Sequence, residues 1–134
     1  MGRPLASAAA TATPERLLDA AEQAFAQGYE AARLEDIAAA CGIRRPSLLY
    51  HFPSKDGLYA AVVRRTFARL GAALMTVMSR HLDFAARVDS MVDTYASFLA
   101  DNPAHAQILV RELVDARGPG RDILLGEVVP LLDL

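Results

Sequence analysis

Leu34-Glu35-Asp36-Ile37-Ala38-Ala39-Ala40-Cys41-Gly42-Ile43-Arg44-Arg45-Pro46-Ser47-Leu48-Leu49-Tyr50-His51-Phe52-Pro53-Ser54-Lys55 is the stretch on which the reading of this chain turns. Leu34, Ile37, Ala38 and Cys41 fall on one stripe at helical spacing, so a short helix is expected over 34–40. Gly42 makes a turn and Ile43 plugs the core beneath it. A second short helix is expected over 45–51. Pro46 is tolerated there because it lies in the first turn. Phe52-Pro53 closes that helix, because the residue before a proline is pushed out of helical geometry. Ser54 then caps a further helix starting at Lys55. Two short helices around a glycine turn, the second bearing Arg, Ser, Tyr and His, is the layout of a helix-turn-helix that reads DNA.

Working outward, the pattern is helical throughout, with few β-branched runs and no Asn-Gly hairpin turns. Before the motif, Thr13 can cap a helix whose first turn holds Pro14 and Glu15. Leu17, Leu18, Ala21, Ala24 and Phe25 give it one apolar face, and Gly28 ends it. After the motif, Leu58, Val62, Leu70, Leu74 and Val77 carry an apolar face toward Leu82, with Gly71 the point at which a break would fall. Phe84, Val88, Met91, Val92, Tyr95, Phe98 and Leu99 predict a helix that stops near Asn102. Another is expected from Pro103 to about Ala116, with Ile108, Leu109 and Leu113 inward. Gly118-Pro119-Gly120 reads as a loop, and Asp122 to Leu134 as the start of one more helix. The apolar run Val128-Val129-Pro130-Leu131-Leu132 leads us to expect that the natural protein continues.

Composition agrees with a folded, DNA-reading protein. The chain has 134 residues, 53% of them hydrophobic and 22% charged, enough apolar material for a core and too little charge for general disorder. The net charge of −2 is unevenly spread. Met1 to Arg69 holds nine Lys+Arg against seven Asp+Glu, and Leu70 to Leu134 holds five against nine. A basic front half and an acidic back half suit a DNA reader joined to a module that does not touch DNA. The lone Cys41 excludes an intrachain disulfide and a cysteine metal cluster, and fits a reducing cytoplasm. It reads as a small buried apolar residue. No apolar run reaches membrane-spanning length. The three histidines form no His-x-x-His or Glu-x-x-His pair, and there is no phosphate loop or nucleophile elbow. We therefore expect no enzyme, no cofactor and no metal.

The motifs Glu15-Arg16-Leu17-Leu18-Asp19-Ala20-Ala21, Phe25, Gly28-Tyr29, Asp36-Ile37-Ala38, Gly42-Ile43 and Leu48-Leu49-Tyr50-His51-Phe52-Pro53-Ser54-Lys55 resemble the DNA-binding domain of the tetracycline-repressor (TetR) family. The resemblance runs from Thr13 to about Arg65 without a gap. It is looser beyond, where Asp101-Asn102-Pro103 and Arg111-Glu112-Leu113 are similar to the early ligand-binding domain of such proteins. It implies an all-α fold: a three-helix helix-turn-helix DNA-binding domain followed by the first helices of an α-helical regulatory domain. The expected division is a disordered arm over 1–12, a DNA-binding domain over 13–72, and a partial ligand-binding and dimerisation domain over 73–134. The resemblance further implies a cytoplasmic, homodimeric transcription regulator, mostly a repressor in this family, released from a palindromic double-stranded operator by a small apolar effector. The rival reading is a truncated interaction module that works through protein contacts.

Candidate site residues follow. Arg45 begins the recognition helix, and its forked donors match O6 and N7 of guanine, which makes it the leading base reader. Arg44 at the turn is next, with a phosphate contact as its alternative. Pro46 and Leu49 offer apolar surface to a thymine methyl. Leu49 departs from the tyrosine many relatives carry, so one contact is expected to differ. Ser47, Tyr50, His51 and Lys55 match family positions that grip phosphates. Lys55 adds its charge to the free backbone N–H groups of a helix start. Arg33 stands where the family often has a capping Ser or Thr, so a cap is lost and a phosphate-reaching cation gained. Leu48 and Phe52 are assigned to the core. In the later half, Met75, Met78, His81, Met91, Tyr95, Phe98 and His105 are candidates to line an effector pocket, although such a stripe is more often plain core.

Overall fold

The structure, a computed structural model, describes residues 13–115 and two isolated positions further on, Asp122 and Gly126. The arm over 1–12, the Gly118-Pro119-Gly120 loop, the side chain of Leu113 and, apart from Asp122 and Gly126, the expected helix from Asp122 to Leu134 lie outside the described residues. Among these, every regular element is a helix: α1 Thr13–Ala26, α2 Leu34–Ala40, α3 Arg45–His51, α4 Lys55–Met78, α5 Phe84–Asp101 and α6 Pro103–Asp115. None is long and apolar enough to cross a membrane. The chain divides into two compact units, Met1–Val62 and Val63–Leu134, with the division falling inside α4.

In the first unit α1 packs against α2, and α2 against α3. Helices α2 and α3 are seven residues each, well below the length at which an isolated helix is stable in water. Tertiary burial must therefore hold them. Leu17, Ala21 and Phe25 recur every fourth residue along α1 and are fully buried, as is Leu48 of α3. Ile37 and Ala38 of α2, with the following Cys41, are buried too. From α4, Leu58, Tyr59 and Val62 are buried. Tyr59 sets its ring edge-on to Phe25 at 4.9 Å and to Tyr29 at 5.3 Å, while Phe25 and Tyr29 stack at 5.7 Å. Phe52, assigned to the core from sequence, is only half-buried. It is the C-cap of α3 with extended backbone, so it no longer follows the helical stripe that buries Leu48.

The turn between α2 and α3 is closed by paired backbone bonds. Ile43 N–H donates to the Ala38 carbonyl and Gly42 N–H to that of Ala39, each at 3.0 Å. This pairing satisfies carbonyls that a helix end leaves open, and it needs a left-handed residue just past the cap. Gly42 supplies that residue with φ +71°.

In the second unit, Val63, Thr66, Phe67 and Val77 of α4 are buried, as are Ala104, His105, Ile108 and Leu109 of α6. Gly71 does not break α4, which is continuous for 24 residues. A single glycine costs a helix about 1 kcal/mol, which the buried residues on either side of it offset. Helix α5 is capped by Asp83, whose Oδ1 accepts from Ala86 N–H at 2.8 Å. It packs against α6, yet it has no fully buried residue. The stripe read from the sequence is there, but Phe84, Val88, Val92 and Tyr95 along it are exposed.

Candidate nucleic-acid interface

The site is built on α3, which buries one residue fully and exposes most of the rest. Leu48 is wholly buried and fixes the roll of the helix. Arg45, Pro46, Ser47 and Tyr50 are then exposed, and Leu49 and His51 half-buried. Tyr50 is 84% exposed. An aromatic ring so fully in water is no part of the core, and it meets only the neighbouring His51 ring, edge-on at 5.3 Å, among the described residues.

The start of α3 breaks a rule of helix design. The positive end of the helix dipole favours acidic residues, but α3 has none in its first turn. It carries Arg44 at the N-cap and Arg45 at the first helical position instead, with Pro46 beside them. Local rules broken without a folding gain are expected at functional sites. Counter-charge comes from α2: Arg45 Nη1 donates to Glu35 Oε1 at 3.1 Å, in an ion pair with both side chains about half exposed. The Glu35 carboxyl is held below the usual carboxylate range, first by its own backbone N–H and then by Arg45 and Arg33. Arg33 is the N-cap of α2 and makes no side-chain capping bond, so its exposed guanidinium is not spent on its own helix.

Lys55 opens α4. Its Nζ lies 4.5 Å from the centroid of the Tyr29 ring, and the Tyr29 hydroxyl donates to the carboxylate of Asp56. Desolvation, then the bond to and charge of Asp56, with Glu30 adding, push the Tyr29 hydroxyl up to about 12. Ser54 Oγ accepts from Gly57 N–H at 3.0 Å, the expected cap. Cys41 donates from Sγ to the Arg16 carbonyl at 3.3 Å, and burial raises its thiol above the ordinary range, as suits a packing residue rather than a reactive one. Sequence reasoning passed over Glu35 and Asp56. Tyr29 stood in a motif, but nothing in its spacing pointed to Lys55.

This geometry can be set beside known proteins. Residues 17–62 match the sequence model of the family described as "Bacterial regulatory proteins, tetR family". The HTH-type transcriptional regulator RutR of Escherichia coli (strain K12) is 32% identical over 130 residues, covering 95% of this chain and 60% of RutR. The HTH-type transcriptional repressor KstR2 of Rhodococcus jostii is 32% identical over 95 residues, covering 70% of this chain and 46% of KstR2. Among solved structures, the fatty acid degradation regulator FadR of Bacillus halodurans superposes with a TM-score of 0.76 at 22% identity, over 89% of this chain and 63% of that one.

The chain belongs to the TetR family. It spans about 60% of the length of the RutR proteins it matches. The TetR-family match lies wholly within the first unit and takes in Arg33, Arg44 to His51 and Lys55. In the second unit of this TetR-family chain, Phe98 and His105 stack at 5.4 Å, with His105 buried and Phe98 half-buried. Met91 is half-buried, whereas Met75, Met78, His81 and Tyr95 are exposed.

Proposed function

We propose that this protein is a sequence-specific DNA-binding transcriptional regulator, acting as a repressor that a small apolar effector releases from a palindromic operator. The observation that carries the reading is the cationic, exposed start of α3, Arg44 and Arg45, on a helix whose inward residue Leu48 is fully buried. A helix so anchored can enter the major groove, where each base pair presents a distinct pattern of donors and acceptors.

Roles follow from position. Arg45 donates in pairs to guanine. Arg44 reads an adjacent base or holds a phosphate. Pro46 and Leu49 touch a thymine methyl. Ser47, Tyr50, His51, Lys55 and Arg33 grip phosphates, which set register without reading sequence. The Tyr29 ring holds Lys55 at the start of α4, where free N–H groups add to its attraction for a phosphate. In a homodimer the half-site centres would stand about 34 Å apart or a multiple of that. Relatives of both signs exist, since FasR of Mycolicibacterium smegmatis, 33% identical over 85 residues, is named an activator. Repression therefore rests on what the TetR resemblance implies, and DNA binding on the residues themselves. Met91, Phe98 and His105 are the residues we assign to an effector site, with Met78, His81 and Tyr95 at its margin.

Fluorescence anisotropy of this chain against DNA flanking its own gene, at several salt concentrations, tests the reading. Arg45→Ala is expected to weaken specific binding about 10- to 100-fold. Lys55→Ala is expected to weaken all sequences alike and to lower the salt slope by about one per site. Binding indifferent to salt and to Arg45 would overturn the proposal.

A further inference from the structure

We infer that Glu35, which lies outside the recognition helix, is a positioning residue for sequence readout: its carboxylate aims the guanidinium of Arg45 at the base pair that Arg45 reads. The inference rests on the reading of α3 as the DNA-reading helix, and it names what directs that helix's leading residue.

The geometry suits aiming rather than capture. A guanidinium has five N–H donors in a rigid plane, and the bond from Nη1 to Glu35 Oε1 uses one of them. The Nε–Nη2 edge stays open. That edge is sufficient for the paired donation to O6 and N7 of guanine, so Arg45 can keep Glu35 and read a base together. The carboxylate is itself well anchored. Its neighbours Leu34 and Ile37 are buried, at 8% and 2% exposure, and α2 packs on α3. The backbone at Glu35 is thus fixed by the core while its side chain, about half exposed, reaches Arg45.

Arg45 needs such a guide. It is a long side chain, 53% exposed, at a helix start where the dipole and Arg44 both repel its charge. Unheld, it would spread over many rotamers and lose that freedom on binding. A supporting contact made before DNA arrives lowers this cost and narrows the geometry in which donation occurs.

The test is enrichment of a randomised duplex pool by the full chain, followed by anisotropy on the enriched duplex and its single-base-pair variants. Wild type, Arg45→Ala, Glu35→Ala, Glu35→Gln and the double variant Glu35→Ala/Arg45→Ala are compared. Arg45→Ala should abolish discrimination at one or two positions. Glu35→Ala should cut discrimination about two- to fivefold at those same positions and leave the others intact. Glu35→Gln, whose amide oxygen still accepts from Nη1, should retain most of it. The double variant should match Arg45→Ala alone. Thermal melting of Glu35→Ala close to wild type keeps folding out of the readout.

Three results would overturn the inference. Discrimination unchanged in Glu35→Ala would mean Arg45 is aimed without it. Tighter binding of every duplex would mean the carboxylate merely repels phosphates. Uniform weakening at every sequence would mean a scaffold role. If wild type enriches no sequence, or Arg45→Ala leaves every preference intact, the reading of α3 or of Arg45 itself fails, and the inference falls with it.

Discussion

Phe25 in α1 and Val92 in α5 both lie on apolar stripes at helical spacing, yet Phe25 is wholly buried and Val92 is 61% exposed. The contrast extends to their helices. Every fourth residue of α1 from Leu17 to Phe25 is fully buried, whereas α5, the longer helix, has no fully buried residue. Periodicity records which face of a helix is apolar; it does not record whether the chain at hand covers that face. In the first unit the cover is present, and it holds the exposed residues of α3 on a fixed backbone.

The sharpest way to break this comparison is to delete a side chain on each stripe. Phe25→Ala removes a ring that stacks on Tyr29 and meets Tyr59 edge-on. It should cost about 3–5 kcal/mol in urea or thermal unfolding, and DNA binding should be lost with the fold. A cost below about 1 kcal/mol would mean that this core is loose and that α3 is not held by it.

Next in size is the turn. An added Cβ at Gly42 would meet nothing within 4 Å, so space does not forbid a side chain. The positive φ does. Gly42→Ala should therefore cost about 1–2 kcal/mol, and Gly42→Asn less, since Asn tolerates this region better. Equal costs for the two would point to crowding instead of backbone strain.

Much of this was legible beforehand because it is local. The bounds of α2 and α3, the Gly42 turn, the Ser54 cap and the missing cap at Arg33 each follow from a few adjacent residues. What was not legible depends on angles between helices or on sums along one. The Glu35–Arg45 pair spans ten positions and exists only because α2 and α3 cross as they do. The Lys55–Tyr29 contact spans 26. Gly71 looks like a weak point in isolation, and only the rest of a 24-residue helix shows why it holds. The half-buried Phe52 reflects a helix that ends one residue earlier than its apolar stripe.

A smaller effect tests the tie between Tyr29 and Asp56. The hydroxyl, held up to about 12, stays protonated in the folded chain after it has ionised in the unfolded one, near 10. The stability this contributes is complete below about pH 10 and is lost as pH rises through 12. Tyr29→Phe should flatten that part of the stability curve and remove the late phase from the phenolate absorbance titration. An unchanged late phase would assign it to another tyrosine and leave Lys55 without its anchored ring.

The smallest expected change completes the comparison with Phe25. Val92 sits amid the exposed stripe of α5, with Phe84 and Val88 before it and Tyr95 after. Apolar surface already in water contributes no transfer free energy, so with Val92 61% exposed its removal leaves a small transfer loss and a change in helix propensity. Val92→Ser should alter the unfolding free energy by no more than about 0.5 kcal/mol, and DNA binding should be unaffected, because every residue assigned to DNA lies in the first unit. A cost above about 1 kcal/mol would require that this face is covered in solution. The difference between the two stripes would then lie in what covers each in solution, and not in how each unit is built.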